Sequence, residues 1–303
     1  MSADLFTAFA AASVRVATPL ALAATGETIA ERGGVINLGI EGAMLSGALA
    51  SAVVAVSAGP EWGIVAGVAG GIVAGAVFAA AVVGARADQI IAGTAITLGF
   101  TGITGLLARR VWGTAGAGLS VPTLAPVAVP GLAVIPWIGP AFFNQSLLTY
   151  LCYLLIPAAA WLLFRTRFGL ELRASGESPV SAAAVGVRVA RVRVAGVLIG
   201  GAAAGLAGAS LVLAQVGTFT ERMTAGRGFI AIAIVVLGRW NPFGVAAAAL
   251  LFGAATALQF LLQATGSTVP YQFFLALPYL LALAVLGVAV GRSRGPAALG
   301  RPH

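Results

Sequence analysis

The sequence predicts an all-α protein: a polytopic transmembrane helical bundle of eight to ten crossings with at least one broken helix. Three observations carry this. The 303 residues are 60% hydrophobic and only 9% charged, against about 25% charged in a soluble domain. Apolar runs recur at about 20 residues, the length that crosses roughly 30 Å of hydrocarbon as helix. The runs are also continuous and rich in Ala, Leu, Val and Gly, where a transmembrane barrel would alternate apolar and polar positions.

Nine spans are expected, at roughly 5–26, 35–57, 62–85, 89–108, 146–164, 194–213, 228–238, 243–263 and 271–290, within a single transmembrane domain 1–303. The first lies in MSADLFTAFAAASVRVATPLALAATG, which lacks a basic leader region and an A-x-A-like cleavage site before polar sequence. It reads as a retained helix. The second follows ERGGVINLGIEGAML, a polar and glycine-rich patch at 31–45. Gly33 and Gly34 allow a break there, and a helix starting near Gly34 would place Asn37 and Glu41 four apart on one face. Its first turn would leave free N–H groups for Glu31 to cap. An intramembrane carboxylate costs roughly 2.5 to 3.5 kcal/mol at the bilayer centre, so Glu41 is expected to face protein or water. Whether Asn37 and Glu41 line a path or brace it is left open by the sequence.

In the third span Gly63, Gly67, Gly71 and Gly75 recur every four residues and form a smooth face for a neighbouring backbone. Gly196, Gly200, Ala204 and Gly208 repeat the device in the sixth. The fourth places Thr94, Thr97, Thr101 and Thr104 on one face, and the eighth does so with Thr256, Gln259 and Gln263. Such groups either bond back to their own helices and glue neighbours, or line a pore for uncharged, hydrogen-bonding cargo. Thr97, Thr101, Gln259 and Gln263 join Asn37 and Glu41 as path candidates. The stretch 111–145 holds five prolines, which bar a regular helix, and is expected to form an external lid or docking surface with Trp112 and Trp137 at the interface. The seventh segment, 228–238, is too short to cross alone and reads as half of a broken helix continued after Arg239 to Pro242.

Orientation follows from arginine, since all seventeen basic residues are Arg. The connection 165–193 carries Arg165, Arg167, Arg173, Arg188, Arg191 and Arg193, and the tail carries Arg292, Arg294 and Arg301. Basic connections are retained on the cytoplasmic side. The chain is therefore expected in the cell membrane with its C-terminus cytoplasmic and its N-terminus external. Arg109 and Arg110 then face outwards, against the trend, where long side chains can snorkel.

The absent chemistry narrows the function. Cys152 is the lone cysteine and His303 the lone histidine, so no metal-ligand cluster or serine–histidine–carboxylate set can be assembled and no metal is expected. The net charge of +8 is not gathered on a soluble surface with stacking aromatics, which excludes a nucleic-acid partner. Without lysine, G-x-x-x-x-G-K-[ST] cannot occur; if ATP drives this chain, another subunit binds it.

Three segments carry a resemblance. FGLELRASGESPVSAAAVGVRVARVRV at 168–194 contains G-E-S-P-x-x-A-A-x-x-G-V, and it resembles the coupling loop of permease subunits of ABC importers in the branched-chain amino acid, ribose and nucleoside group. The patch at 31–45 resembles that group's E-R-x-G-V-[IV]-N segment, and MTAGRGFIAIAIVVLGRWNPFG at 223–244 its glycine-rich third segment. They match in order, most closely in the nucleoside, lipoprotein-dependent branch; Ala43 stands before Met44 where Gly is usual. The resemblance implies a non-enzymatic permease that works beside a second, often non-identical permease subunit. A cytoplasmic ATPase and an external binding lipoprotein or periplasmic protein complete the importer, and membrane lipid surrounds it.

It also implies that Glu177, Ser178, Pro179, Ala182, Ala183 and Gly186 couple the permease to the ATPase. The residues agree: Pro179 can start a short helix, Ser178 can cap it, and the alanines give a small smooth surface that fits a groove. Rival readings are a sugar or branched-chain amino acid permease of the same group and an ion-driven secondary carrier.

Overall fold

The structure is a computed structural model and describes residues 3–113, 120–264 and 295–300, together with Ala276 and Leu280. Its elements follow the apolar runs. Helix α1 spans Ala3–Arg32, α2 Ile40–Ala58, and α3 Pro60–Ala79 with a π-helical turn Ala80–Gly84. Helix α4 spans Gln89–Trp112, α5 Ile138–Phe142, α6 Leu147–Arg165, α7 Arg167–Glu177 and α8 Pro179–Ala184. Helix α9 spans Val189–Ser210 with a π-helical end Leu211–Val216, α10 Arg227–Leu237 and α11 Pro242–Ala264. Strands β1 (Val127–Ala128) and β2 (Asn144–Gln145) pair antiparallel inside the proline-rich stretch.

Among the described residues seven helices are long and apolar enough to cross a bilayer. They are the first six predicted spans and the eighth. The ninth, 271–290, lies outside the described residues. Helix α10 is the short seventh segment; its 11 residues reach about 16 Å. It does not run on into α11. Arg239 and Trp240 take positive φ values of 57° and 53°, and the chain turns sharply before α11 starts at Pro242. Gly238 permits the turn because the Val245 backbone presses against it.

Helices α2, α3 and α9 form the centre; the predicted stripe of α3 meets Gly201 and Gly205 of α9, which lie beside the stripe predicted for that helix, whereas of the predicted stripe Gly208 faces α2 and Gly200 faces α1. A methyl group on Gly67 would stand 2.7 Å from Ala209 Cβ. Gly71 meets Gly201 and Gly205 backbone to backbone. Helix α9 presents a different small face to each neighbour: Gly200 to Gly26 of α1, Gly201 and Gly205 to α3, and Gly208 to Met44 of α2. Close contact of this kind supplies dispersion energy where lipid offers no hydrophobic drive for association. Around this centre α4 packs on α2 and α3, while α6, α10 and α11 pack on α1.

Among the described residues between α4 and α6 the proline-rich stretch holds one short helix. In α5, Pro140 occupies the first turn, where its missing N–H costs nothing. The Tyr150 hydroxyl donates to the Val127 carbonyl at 2.7 Å and ties this region to α6. Arg109 pairs with Glu221 at 3.3 Å, so one of the two arginines that opposed the assigned orientation has a carboxylate beside it.

Candidate functional site

The polar patch read as a break forms the connection 33–39 between α1 and α2, and its polar groups are held from several sides. Gly34 takes φ +86° and lets the chain leave α1 sharply. The Asn37 N–H donates to Glu27 Oε1 at 2.8 Å, and the Ile36 N–H to Gln89 Oε1 at 2.8 Å. Thr97 Oγ1 donates to the Leu38 carbonyl at 2.9 Å. Arg193, buried on α9, donates from Nε to the Gly33 carbonyl at 2.9 Å. Buried backbone groups need partners, and this segment finds them in side chains from α1, α4 and α9.

Two expectations for the patch are corrected. Asn37 and Glu41 do not share a helix face: α2 begins at Ile40 with Gly39 as its N-cap, and Asn37 precedes it. The Asn37 Oδ1 instead accepts the Gly39 N–H at 3.0 Å, a local bond that competes with helix. Glu31 does not cap a helix start. It lies in α1 and accepts the Trp240 indole N–H at 2.6 Å on Oε2, while Arg32 Nε donates to the Trp240 carbonyl at 2.9 Å.

Glu41 carries the most concentrated interaction. Its Oε1 accepts the Thr224 hydroxyl at 2.6 Å and the Gly226 N–H at 2.7 Å, and its Oε2 accepts the Gly228 N–H at 2.6 Å. The carboxylate is buried in the first turn of α2 and against the start of α10, so two helix N-termini with their partial positive charge face it. Gly228 has no room for a side chain, since a Cβ there would lie 2.7 Å from the Glu41 backbone. Of the threonine face, Thr94, Thr101 and Thr104 bond back to Ile90, Thr97 and Phe100 carbonyls at 2.8, 2.7 and 2.6 Å. On α11, Gln259 is buried and Gln263 exposed. The structure brings Asn37, Glu41 and Thr97 together around the break, whereas Gln259 and Gln263 belong to a helix that packs on α1 and α6.

The second cluster is the connection between α6 and α9. The Thr166 hydroxyl caps α7 by accepting the Gly169 N–H at 3.0 Å. Ser178 caps α8, accepting the Ser181 N–H at 3.3 Å, with Pro179 at its first position. Ala182 faces inwards; Ala183 is exposed, and Val180 and Val185 are each 80% exposed. Gly186 ends the element at φ +90°. Glu177 is exposed and accepts the Ala297 N–H at 3.4 Å. Beside α8 a groove of about 380 Å³, lined by Phe168, Glu171, Gly186, Arg188 and Arg191 among others, opens between α7 and α9.

A model of the branched-chain amino acid transport system permease component matches residues 9–289. The chain belongs to that family. This permease component is 33% identical over 302 residues to the guanosine ABC transporter permease protein NupQ of Bacillus subtilis, covering 96% of this chain and 95% of the relative. It is 37% identical over 301 residues to the putative glucose ABC transporter permease protein TsgC13 of Haloferax volcanii, covering 93% and 91%. The nucleoside ABC transporter permease protein NupC of Lactococcus lactis is 35% identical over 293 residues, with 93% and 92% covered. No solved structure matches the chain.

Sequence reasoning missed several residues that hold this permease component together. Glu27 fell just beyond the expected end of the first span, although a carboxylate one turn before Glu31 was a visible signal. Gln89, Arg193 and Trp240 left none, because each acts on a partner far away in the chain: Gln89 and Arg193 on backbone, Trp240 on the Glu31 carboxyl group. Among the described residues no group of three or more His, Cys, Asp or Glu is placed to hold a metal.

Proposed function

We propose that this permease component is a membrane subunit of an ATP-driven importer of nucleosides, working by alternating access. The supporting observation is the likeness over more than nine-tenths of the chain to permeases named for guanosine and nucleosides. In this reading a cytoplasmic ABC ATPase docks on α8 through Val180, Ala183 and Val185, while Glu177, Ser178, Pro179, Ala182 and Gly186 fix the shape of that element. ATP hydrolysis resides on that separate subunit. A second, non-identical permease subunit completes the path, and an external binding lipoprotein or periplasmic protein delivers cargo. The chain sits in the cell membrane with its N-terminus outside and the α7–α8 end in the cytoplasm, as the arginine distribution favours.

Asn37, Glu41 and Thr97 act on the path by fixing the broken segment that borders it. Thr101, Gln259 and Gln263 offer hydrogen-bonding groups suited to an uncharged cargo. A sugar is the second reading, favoured by the relative named for glucose. Vanadate-sensitive uptake of labelled guanosine, but not of glucose, by vesicles carrying the whole importer is the expected result. Uptake of glucose alone would support the sugar reading, and uptake by this chain without an ATPase would refute both.

A further inference from the structure

The exits of α1 and α7 lie side by side at one end of the bundle. Each leaves carbonyl groups without partners in its own helix. Gly176, on the last turn of α7, packs directly against the Arg32 carbonyl at the end of α1. Two bridges then join these exits. Arg193 forms the first, donating to the Gly33 carbonyl at 2.9 Å and to the Ser175 carbonyl at 3.2 Å. The segment 295–300 forms the second: the Ala298 N–H donates to the Gly176 carbonyl at 2.9 Å and the Gly300 N–H to the Gly34 carbonyl at 3.4 Å.

The strap is seated as well as bonded. Ala298 is 4% exposed, and Gly295 lies against the Trp240 ring with no space for a side chain. Trp240 in turn binds Glu31, so the strap touches the α7 exit, the α1–α2 break and the α10–α11 turn at once.

We propose that segment 295–300 is a mechanical strap that carries movement of the α7–α8 element to the broken segment 33–39. The inference rests on the reading of α8 as the ATPase dock. A strap of this kind positions the two elements relative to each other and takes no part in binding cargo or nucleotide. Its contacts are backbone N–H groups, so Ala298→Pro removes the bond to Gly176 while Ala298→Gly preserves it.

The test uses the complete importer in proteoliposomes, with labelled guanosine uptake and ATP hydrolysis measured together. A chain ending at Arg294 and the Ala298→Pro variant are expected to copurify with the ATPase, while uptake per ATP hydrolysed falls by at least about fivefold, the lower end of typical coupling between sites. Ala298→Gly is expected to match the parent. A ratio unchanged in Ala298→Pro overturns the strap, and so does loss of ATPase association in that variant, which would make the segment part of the dock. Deleting 176–187 tests the dock separately: retained ATPase association there refutes the docking reading, whereas lost association with an unchanged Ala298→Pro ratio refutes only the strap.

Discussion

The Glu41 carboxylate in the first turn of α2 accepts the Thr224 hydroxyl at 2.6 Å, joining the start of α2 to the chain that enters α10. With the Gly226 and Gly228 N–H groups it makes three hydrogen bonds to one side chain, each worth about 0.5–1.5 kcal/mol net. Glu41→Gln turns two acceptors into one and presents an amide to donors. The purified complex is expected to lose several degrees of thermal stability and most of its uptake. Parent-like melting and uptake in this variant would show that the α10 start is held by something else.

The threonines of α4 separate into two kinds. Thr97 reaches across to the Leu38 carbonyl, and Thr101 bonds within its own helix. Thr97→Val removes the partner of a half-buried carbonyl at a cost of about 1 kcal/mol, so it is expected to lower thermal stability, whereas Thr101→Val leaves stability near the parent. Melting of the two purified variants side by side checks this; equal losses would contradict the assignment.

Much of the fold was legible because it depends on local composition. Apolar run length located the spans, Gly63, Gly67, Gly71 and Gly75 marked a contact face, and Ser178–Pro179 marked a capped helix start. What stayed hidden is non-local. Helical spacing put Thr97 and Thr101 on one face but could not say that only Thr97 meets the broken segment. Spacing likewise joined Asn37 to Glu41, since nothing local reveals that the Glu27 carboxylate takes the Asn37 N–H and holds it outside α2. The strap has an unremarkable composition, GPAALG, and its role exists only through partners at Gly34, Gly176 and Trp240.

Glycine contacts at the centre differ sharply in tolerance. Gly71 lies against the α9 backbone, while a Cβ on Gly99 meets nothing within 4 Å. Overpacking a fitted interface costs about 1–3 kcal/mol and occasionally more. Gly71→Leu is expected to abolish the yield of folded protein from mild detergent, and Gly99→Ala to leave it unchanged. Normal yield of Gly71→Leu by size-exclusion chromatography would contradict the packing of α3 on α9.

The central claim, that α8 receives an ATPase in the cytoplasm, is tested most directly by labelling a cysteine at position 180, which is 80% exposed, in a Cys152→Ser background. With a membrane-impermeant maleimide the account predicts no reaction in intact cells, reaction in opened vesicles, and protection when the ATPase is bound. Labelling from outside intact cells would contradict it.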